Sequence, residues 1–387
     1  MAKRRPETRP AVTGNGRVDE NRKDVTLLPG LPNHLAQLCL SKLHPSVLHP
    51  VCVSWRRFIY SRDFPPFFSL YALLFKYESN ETCAGDQCRP CSIAFSCFDP
   101  VSGKWRPLPS PPSDPPICLI RRHPSFISRV YSIQSVGASG RLVLIAGNTH
   151  EFLPALARPL VFDPLSGKWC FGPPFSSPRR WCVAGSMRSE VYVASGTSSQ
   201  YNIDVARSVE RWDMSRPEGE WRWERRAPFR DGRFSREAAE AIGYRGKLFM
   251  VNVRGESVKE GAAYDVVNNR WEEMPPGMLK GWNGPAAVDK NAMYVVDRES
   301  GSLQKYDDEK DCWERLTEPS DELKGAEHVS AGCGKVCVAS GGGRFIAIVD
   351  VLARPANVRV VNPPEGMEVV AVHVLPRMID PPSDFLQ

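Results

Sequence analysis

Cysteine is the residue type whose spacing comes nearest to a chemically active site in this sequence. Cys83, Cys88, Cys91 and Cys97 follow one another at intervals of five, three and six positions, and the middle interval has the Cys-x-x-Cys spacing of many zinc sites. Cys97 lies within an apolar, strand-like run, so only three candidate ligands remain in one loop, whereas structural zinc takes four. We therefore interpret these cysteines as ordinary thiols and predict no metal and no cofactor.

The short motifs of hydrolases, nucleotide-binding proteins and metalloproteases are absent from the sequence. It contains no Gly-x-Ser-x-Gly, no phosphate loop ending in Gly-Lys-Ser/Thr and no His-Glu-x-x-His. His150-Glu151 begins the last of these, but the second histidine is missing and Pro154 would break the helix. The seven histidines are scattered and form no triad pattern. The sequence therefore predicts a protein that is not an enzyme.

Charge and hydropathy exclude several classes of partner. The 387-residue chain has a net charge of +6, and half of that excess lies in the first 24 residues, so the remainder has no basic stripe of the kind that binds nucleic acid. No apolar run approaches the roughly 20 residues of a membrane helix, and the polar N-terminus lacks the apolar segment of a secretory signal. We therefore expect a soluble protein of the cytoplasm or nucleus, with a disordered basic tail over residues 1–26, that binds neither nucleic acid nor membranes.

Residues 27–66 are predicted to form a small helical module. Leu31, Leu35, Leu38 and Leu43 give the first helix one apolar face, and a second helix is expected to start near Pro50. The buried stripe predicted for that second helix consists of Val47, Leu48, Val51, Cys52, Trp55, Phe58 and Ile59. So few residues cannot bury all this apolar surface among themselves, which indicates a partner. The alternative is that the module packs as a cap on the rest of the chain.

From about residue 67 the apolar period becomes that of strands, and one pattern recurs five times. In each copy an apolar-aromatic run ends in Asp, a turn follows, and a Trp opens the next strand. The pairs are Asp99 and Trp105, Asp163 and Trp169, Asp213 and Trp221, Asp265 and Trp271, and Asp307 and Trp313, with a weaker sixth copy at Asp350. Successive Asp residues are 42 to 64 positions apart, which is typical of four-stranded propeller blades. We interpret the Asp–Trp pairs as structural, with each Asp accepting hydrogen bonds inside its turn.

The two ends of this repeat array are predicted to meet. The first copy lacks an inner strand before Ser69, whereas residues 367–375 form an apolar run that no other copy uses. We predict that this run completes the first blade, so that residues 67–376 form a closed ring of six four-stranded blades without an exposed edge. Residues 377–387 are then a C-terminal tail.

These two parts resemble a known combination. Residues 27–62, through Leu31-Pro32, Leu35, Leu43, Val51-Cys52-Val53 and Trp55-Arg56, resemble an F-box, and the repeats with Phe-Asp-Pro-x-Ser-Gly-Lys-Trp resemble kelch repeats of plant proteins. The fold that this resemblance implies is mainly β: a six-bladed kelch-type β-propeller preceded by a small all-α F-box module. The sequence departs from the pattern at Asn33-His34, which replaces a common acidic pair, and in its reduced kelch glycine doublets.

The resemblance implies a non-catalytic substrate receptor of an SCF-type ubiquitin ligase. The F-box would bind a Skp-type adaptor and, through it, cullin, while the propeller would hold a target protein for ubiquitination and proteasomal degradation. Related plant receptors recognise metabolic enzymes or signalling proteins, and the loops do not distinguish these targets. The residues carried over as adaptor-binding are Leu31, Pro32, Leu35, Leu38, Leu43, Val51 and Trp55.

Target recognition is expected at one rim of the propeller, where the connections between blades meet the loops between second and third strands. Arginine and aromatic residues are the types that anchor protein partners and grip carboxylates. The candidates in these connections are Arg121, Arg122, Arg179, Arg180, Trp181, Arg230, Arg233, Trp282 and His328. The alternative interpretation is that they are solvated turns, with Trp181 in the core.

Two further functions stay open at this point. Some kelch-type propellers hold a copper-radical oxidase site, but that site needs clustered Tyr, His and Cys ligands at the axis, which the predicted connections do not supply. The other is a kelch scaffold of the cytoskeletal or transcriptional kind, independent of any ligase, which would not co-purify with cullin.

Overall fold

A computed structural model describes residues 26–65, 67–76, 91–112, 117–119, 133–149, 151, 153–230, 232, 234, 238–254 and 259–379. The chain divides into two compact units after Pro65. The first is helical and the second consists almost entirely of strands. Among the described residues, no helix is long and apolar enough to cross a membrane.

The helical unit contains three short helices, α1 (Asn33–Leu40), α2 (Pro45–Leu48) and α3 (Val53–Ile59). The expectation of a second helix starting near Pro50 was wrong: its predicted stripe is divided between α2, which starts at Pro45, and α3, which starts at Val53. In α2, Pro45 occupies the first helical position. Proline suits this position because it has no N–H to leave unpaired, and the Nδ1 of His44 caps the helix by accepting the N–H of Ser46 at 3.3 Å.

The helical unit has a small apolar core. Phe58 and Phe64 pack edge to face with their ring centroids 5.3 Å apart, and the indole of Trp55 donates to the carbonyl oxygen of Leu27 at 2.7 Å. The other buried apolar side chains of the three helices are Ala36, Leu40, Pro45, Leu48 and Ile59. Because this core is small, most of the remaining aliphatic residues of the unit lie on its surface.

The second unit is a six-bladed β-propeller whose blades are antiparallel sheets. The first blade contains β1 (Phe68–Lys76), β2 (Cys91–Asp99) and β3 (Lys104–Pro107), and the short β4 (Cys118–Leu119) pairs with β2. The second blade is β5 (Gln134–Ala138), β6 (Arg141–Ala146), β7 (Leu160–Asp163) and β8 (Lys168–Phe171). The third blade is β9 (Val183–Met187), β10 (Glu190–Ala194), β11 (Val209–Asp213) and β12 (Trp223–Arg225), with α4 (Ile203–Arg207) between β10 and β11.

The remaining blades repeat this order from the inside of the ring outward. The fourth blade is β13 (Ala238–Tyr244), β14 (Lys247–Arg254), β15 (Gly261–Asp265) and β16 (Arg270–Glu272), followed by α5 (Pro276–Gly281). The fifth blade is β17 (Ala286–Asp289), β18 (Ala292–Val296), β19 (Leu303–Asp307) and β20 (Cys312–Arg315). The sixth blade is β21 (His328–Gly332), β22 (Lys335–Ala339), β23 (Ile346–Asp350) and β24 (Asn357–Val361), and β25 (Met367–Pro376) is the last strand of the chain.

The last strand closes the ring. β25 pairs antiparallel with β1, with Val372 opposite Ala72, and forms the inner strand of the first blade. The hydroxyl of Tyr71 donates to the carbonyl oxygen of Pro376 at 2.7 Å, and Leu73 is fully buried between the two neighbouring strands. Closing the ring in this way pairs edges that would otherwise be open to other strands.

The six aspartates of the repeat hold their turns as predicted. In each blade an Oδ1 of the Asp accepts the backbone N–H two residues further on, at 2.9 to 3.0 Å. The donors are Val101, Leu165, Ser215, Val267, Glu309 and Leu352. This hydrogen bond is local, so it explains why the Asp survives in the weak sixth copy.

The tryptophan of the third blade is not the predicted one. In the first, second, fourth and fifth blades the repeated Trp lies directly opposite an aromatic residue of the third strand, as Trp169 lies opposite Phe162. In the third blade that position is taken by Trp223, opposite Trp212, whereas Trp221 follows a turn of 3-10 helix at Glu218–Glu220. The longer turn therefore places the repeated Trp at Trp223, two residues after Trp221, which the sequence spacing alone had indicated.

The inner strands carry small residues because neighbouring strands approach closely near the axis. A Cβ added to Gly243 of β13 would lie 2.5 Å from the carbonyl oxygen of Ser186 in β9. Contacts of this kind link the inner strands of successive blades around the ring. A larger side chain at Gly243 would push two blades apart.

Candidate functional site

Six aliphatic side chains of the helical unit are exposed to solvent. We call this set the aliphatic surface: Leu35 (40% exposed), Leu38 (61%), Leu43 (47%), Val47 (58%), Val51 (54%) and Val53 (54%). Monomeric proteins rarely leave so many large aliphatic side chains open to water on so small a unit unless a partner covers them. The aliphatic surface is therefore the candidate docking site of this unit.

Four of the seven residues expected to bind an adaptor belong to the aliphatic surface: Leu35, Leu38, Leu43 and Val51. Of the other three, Pro32 is exposed at the start of α1, while Leu31 and Trp55 are half-buried. The indole of Trp55 donates a hydrogen bond to Leu27 within the same unit, so Trp55 stabilises the fold of the module.

Val47 and Val53 were missed as docking residues. Val47 was expected in a buried stripe, yet it is 58% exposed while its neighbour Leu48 is fully buried. The signal that could have found Val47 is the helix start: once α2 begins at Pro45, Val47 and Leu48 point to different sides of a single helical turn.

The propeller has two ends, and one of them carries the predicted recognition residues. Loops between the second and third strands of each blade, and connections from one blade to the next, emerge at the same end, which we call the loop face. Arg179, Arg180 and Trp181 lie in the connection between β8 and β9, and Arg230 lies in that between β12 and β13. Arg121, Arg122 and Arg233 lie outside the described residues.

Arg179 is buried and fully engaged inside the propeller. Its guanidinium forms an ion pair with Glu210, and both side chains are almost inaccessible to water. It also donates to the hydroxyl of Ser208 at 2.7 Å and to the carbonyl oxygen of Ser195 at 3.3 Å. The expectation that Arg179 contacts a target is therefore revised, because its donors are used to join the connection to the third blade.

Two predicted aromatic residues are likewise part of the core. Trp282 is fully buried, and its indole donates to the carbonyl oxygen of Gly284 at 3.0 Å. Trp181 is only 6% exposed. The alternative interpretation of Trp181 as a core residue thus fits its position, and burial gives Trp282 no surface on which a partner could pack.

Arg180 and Arg230 remain accessible on the loop face. Arg230 is exposed, and Arg180 is half-buried with its guanidinium carbon 4.4 Å from the ring centroid of Trp181. A guanidinium in this position above an indole is held by a cation–π interaction. Of the predicted recognition residues that the structure describes, these two can meet a protein at this end of the ring.

His328 lies at the axis instead, where the inner strands enclose a cavity of about 340 Å³. Its Nδ1 accepts the N–H of Val372 at 3.4 Å, and its ring packs edge to face against His373 at 5.2 Å. The Nε2 of His373 is hydrogen-bonded to the hydroxyl of Ser135 at 2.8 Å. The two histidines therefore join the sixth, first and second blades across the point of ring closure.

Burial controls the charge of both axial histidines. It lowers the pKa of His328 to about 4 and holds the pKa of His373 well below its ordinary range, where the neighbouring His328 lowers it further. Both imidazoles are therefore neutral at physiological pH. His373 was not predicted as an axial residue; its polar ring inside the apolar run of β25 was the available signal.

Within the described ranges, no group of three His, Cys, Asp or Glu side chains is placed to hold an ion. Cys83 and Cys88 lie outside those ranges, and Cys97 is buried in β2, where burial raises its pKa to about 12. A thiol with so high a pKa is a poor thiolate ligand.

Comparison with known proteins relates both units to one group of plant proteins. No family model matches the chain. It is 49% identical to the F-box/kelch-repeat protein SKIP25 of Arabidopsis thaliana over 382 residues, which cover 96% of this chain and 93% of that protein. It is also 24% identical over 293 residues to the F-box protein AFR of the same plant, with 71% of this chain and 69% of that protein covered. The first match extends over the helical unit and the propeller together.

Proposed function

The chain belongs to the family of F-box/kelch-repeat proteins, and on that premise we propose that it is the substrate-recognition subunit of an SCF-type E3 ubiquitin ligase. The helical unit binds a Skp-type adaptor and through it cullin, and the loop face of the propeller binds a target protein. The protein carries out no chemistry itself; it raises the concentration of the target near the ubiquitin-transferring subunit. We place this activity in the cytoplasm or nucleus.

The observation that carries this proposal is the aliphatic surface. Its six members are 40 to 61% exposed, while the core of the same unit is small. Fully burying a wholly exposed aliphatic side chain contributes about 1.5 to 3 kcal/mol, and these side chains are about half exposed, so each contributes roughly half as much when a partner covers it. A partner with an apolar groove between its helices would fit this surface, because grooves of that kind accept amphipathic helices.

The docking part is tested by measuring adaptor binding with the full-length protein. Leu38→Asp combined with Val51→Asp places two charges in the aliphatic surface, and we expect affinity for a plant Skp-type adaptor to fall by at least about 100-fold, since buried unpaired charges are costly. The matched control is Val267→Asp, because Val267 is 88% exposed in a propeller turn, and its affinity should equal that of the wild type. Undiminished binding by the double variant would exclude this surface as the docking site.

The ligase role is tested separately in plant cells. Wild-type protein should co-purify with cullin, and the double variant should not. Loss of the wild-type protein should raise the amounts of its targets, and re-expression of the double variant should not lower them. If the wild type binds no cullin, the ligase-independent scaffold becomes the better description.

A further inference from the structure

Arg180 is a half-buried cation without an acidic partner among the described residues. Arg179, its neighbour in the chain, has Glu210 as its ion-pair partner, but no carboxylate of the described residues lies within ion-pair distance of Arg180. We propose that Arg180 is the anchor for an oxyanionic side chain, a carboxylate or a phosphate, on the target protein. This inference rests on the proposed function and adds the chemical class of the group that the loop face recognises.

The position of Arg180 is set by the backbone on both sides of it. Its N–H and carbonyl oxygen pair with those of Thr197, with N···O distances of 2.8 and 2.9 Å. Gly196, with φ +97°, lies so close that an added Cβ would be 2.8 Å from the carbonyl oxygen of Arg180. Trp181 adopts a φ of +50°, which an aromatic residue rarely does. These constraints fix the backbone of Arg180, and the stacking on Trp181 positions its guanidinium, as a binding group requires.

Three polar atoms in the paired segments around Arg180 and Thr197 are enclosed and lack a hydrogen-bond partner within the described part of the chain. They are the Nε of Arg180, the hydroxyl of Ser195 and the hydroxyl of Thr197. Leaving such a group unpaired costs about 1 to 3 kcal/mol. The Nη1 and Nη2 atoms of Arg180 are not among these enclosed atoms, and an oxyanion of a partner carries enough acceptor lone pairs to accept from both of them at once.

The charge of Arg180 also calls for an anion. Burial lowers the pKa of Arg180, and no neighbouring carboxylate counteracts that effect. Because the guanidinium nevertheless stays charged, part of its hydration is lost without a compensating ion pair. A bound carboxylate or phosphate would supply that compensation.

The stacking of Arg180 on Trp181 has a simpler interpretation, in which the guanidinium only shields the indole from water. The two interpretations differ in one respect. A shield would affect the stability of the protein but would not make it prefer acidic peptides over amide peptides.

The test uses the purified full-length protein and four pools of degenerate peptides that differ only in a fixed central residue: Glu, Gln, phosphoserine or Ser. We expect the Glu pool, the phosphoserine pool or both to bind at least about 10-fold more tightly than the matching Gln or Ser pool. Arg180→Gln should abolish this preference, and Arg180→Lys, which keeps the charge but not the planar fork, should reduce it. The control Arg222→Gln removes an exposed arginine from the turn between β11 and β12, at the other end of the propeller, and should retain the preference.

A preference for Glu alone would identify a carboxylate, and a preference for phosphoserine alone would identify a phosphate. Equal binding of all four pools, or an unchanged preference in Arg180→Gln, would overturn the proposal. A thermal unfolding curve of Arg180→Gln checks that the fold is retained; if it is not, Arg180→Lys decides the outcome.

Adaptor binding, measured on the same samples, separates this proposal from the proposed function. An acidic preference without adaptor binding would leave the Arg180 site standing and remove the ligase role. Adaptor binding without an acidic preference would remove the Arg180 site and leave the ligase role standing.

Discussion

The indole Nε1 of Trp223 donates to the carbonyl oxygen of Pro173 at 3.1 Å, which ties the outer strand of the third blade to the connection that enters that blade. Four other blades contain the same contact at 2.8 to 3.0 Å. The pairs are Trp105 and Asn362, Trp169 and Pro109, Trp271 and Ala227, and Trp313 and Met278. In these five blades the repeated tryptophan therefore fastens the incoming connection and also packs against the aromatic residue opposite it.

Replacing Trp223 by Phe should lower the free energy of unfolding by about 1 to 3 kcal/mol, because the carbonyl of Pro173 loses its donor and the indole loses packing against Phe175. Trp221→Phe is the matched control. The indole of Trp221 donates only to Arg216 within the same turn, and a phenyl ring can still pack against Trp212, so we expect a smaller loss. Chemical denaturation of both variants measures the difference, and a larger loss in Trp221→Phe would contradict our assignment of the repeat position.

Removing the charge of Arg179 should destabilise the propeller strongly. Arg179→Ala leaves Glu210 buried without its partner, and we expect a loss of about 3 to 5 kcal/mol. The double variant Arg179→Met/Glu210→Met, which buries no charge, should recover much of this loss. Arg230→Ala, on the exposed side of the same face, should change the stability by no more than about 0.5 kcal/mol. A small loss of stability in Arg179→Ala would show that this ion pair does not stabilise the propeller.

Deleting residues 367–387 should abolish cooperative unfolding of the propeller. The deletion removes β25, so the first blade loses its inner strand and β1 is left with an open, apolar edge. Deleting only residues 380–387 leaves every strand in place and should leave the melting temperature unchanged. Calorimetry of the two truncated proteins, together with their oligomeric state, measures the contribution of ring closure.

Mild acid should destabilise the protein through the axial histidines. The folded-state pKa of His328 is about 4, below the ordinary value of about 6.5, so the unfolded chain takes up a proton that the folded chain resists. Stability is therefore fully present above about pH 6.5 and falls as the pH drops toward 4. His373, whose pKa is also lowered, acts in the same direction.

We expect the melting temperature to fall by several degrees between pH 7.5 and pH 5. The double variant His328→Gln/His373→Gln should show a shallower fall, measured relative to its own value at pH 7.5. Glu240, Glu327 and Arg298 also line the cavity, but they are present in both proteins and do not affect the comparison. An equal slope in the two proteins would show that other groups control the acid response.

Sequence reasoning worked where the physical cause is local. The Asp of each repeat binds the backbone two residues further on, so its turn is recognisable wherever the strand period is clear, even in the copy at Asp350 that has no Trp. The F-box resemblance likewise indicated four members of the aliphatic surface. It could not rank them by exposure, because exposure depends on where each short helix begins, and the one helix expected near Pro50 is two helices that start at Pro45 and Val53.

What the sequence by itself determined is the division into a helical module with surplus apolar surface and a ring of six strand repeats. Only the tertiary structure decided which Trp of the third blade faces Trp212, and which of two adjacent arginines is buried on Glu210 and which stacks on Trp181. Arg179 and Arg180 are the same residue type in the same connection. They differ because contacts with segments distant in the chain, around Glu210 and Thr197, assign each side chain its surroundings.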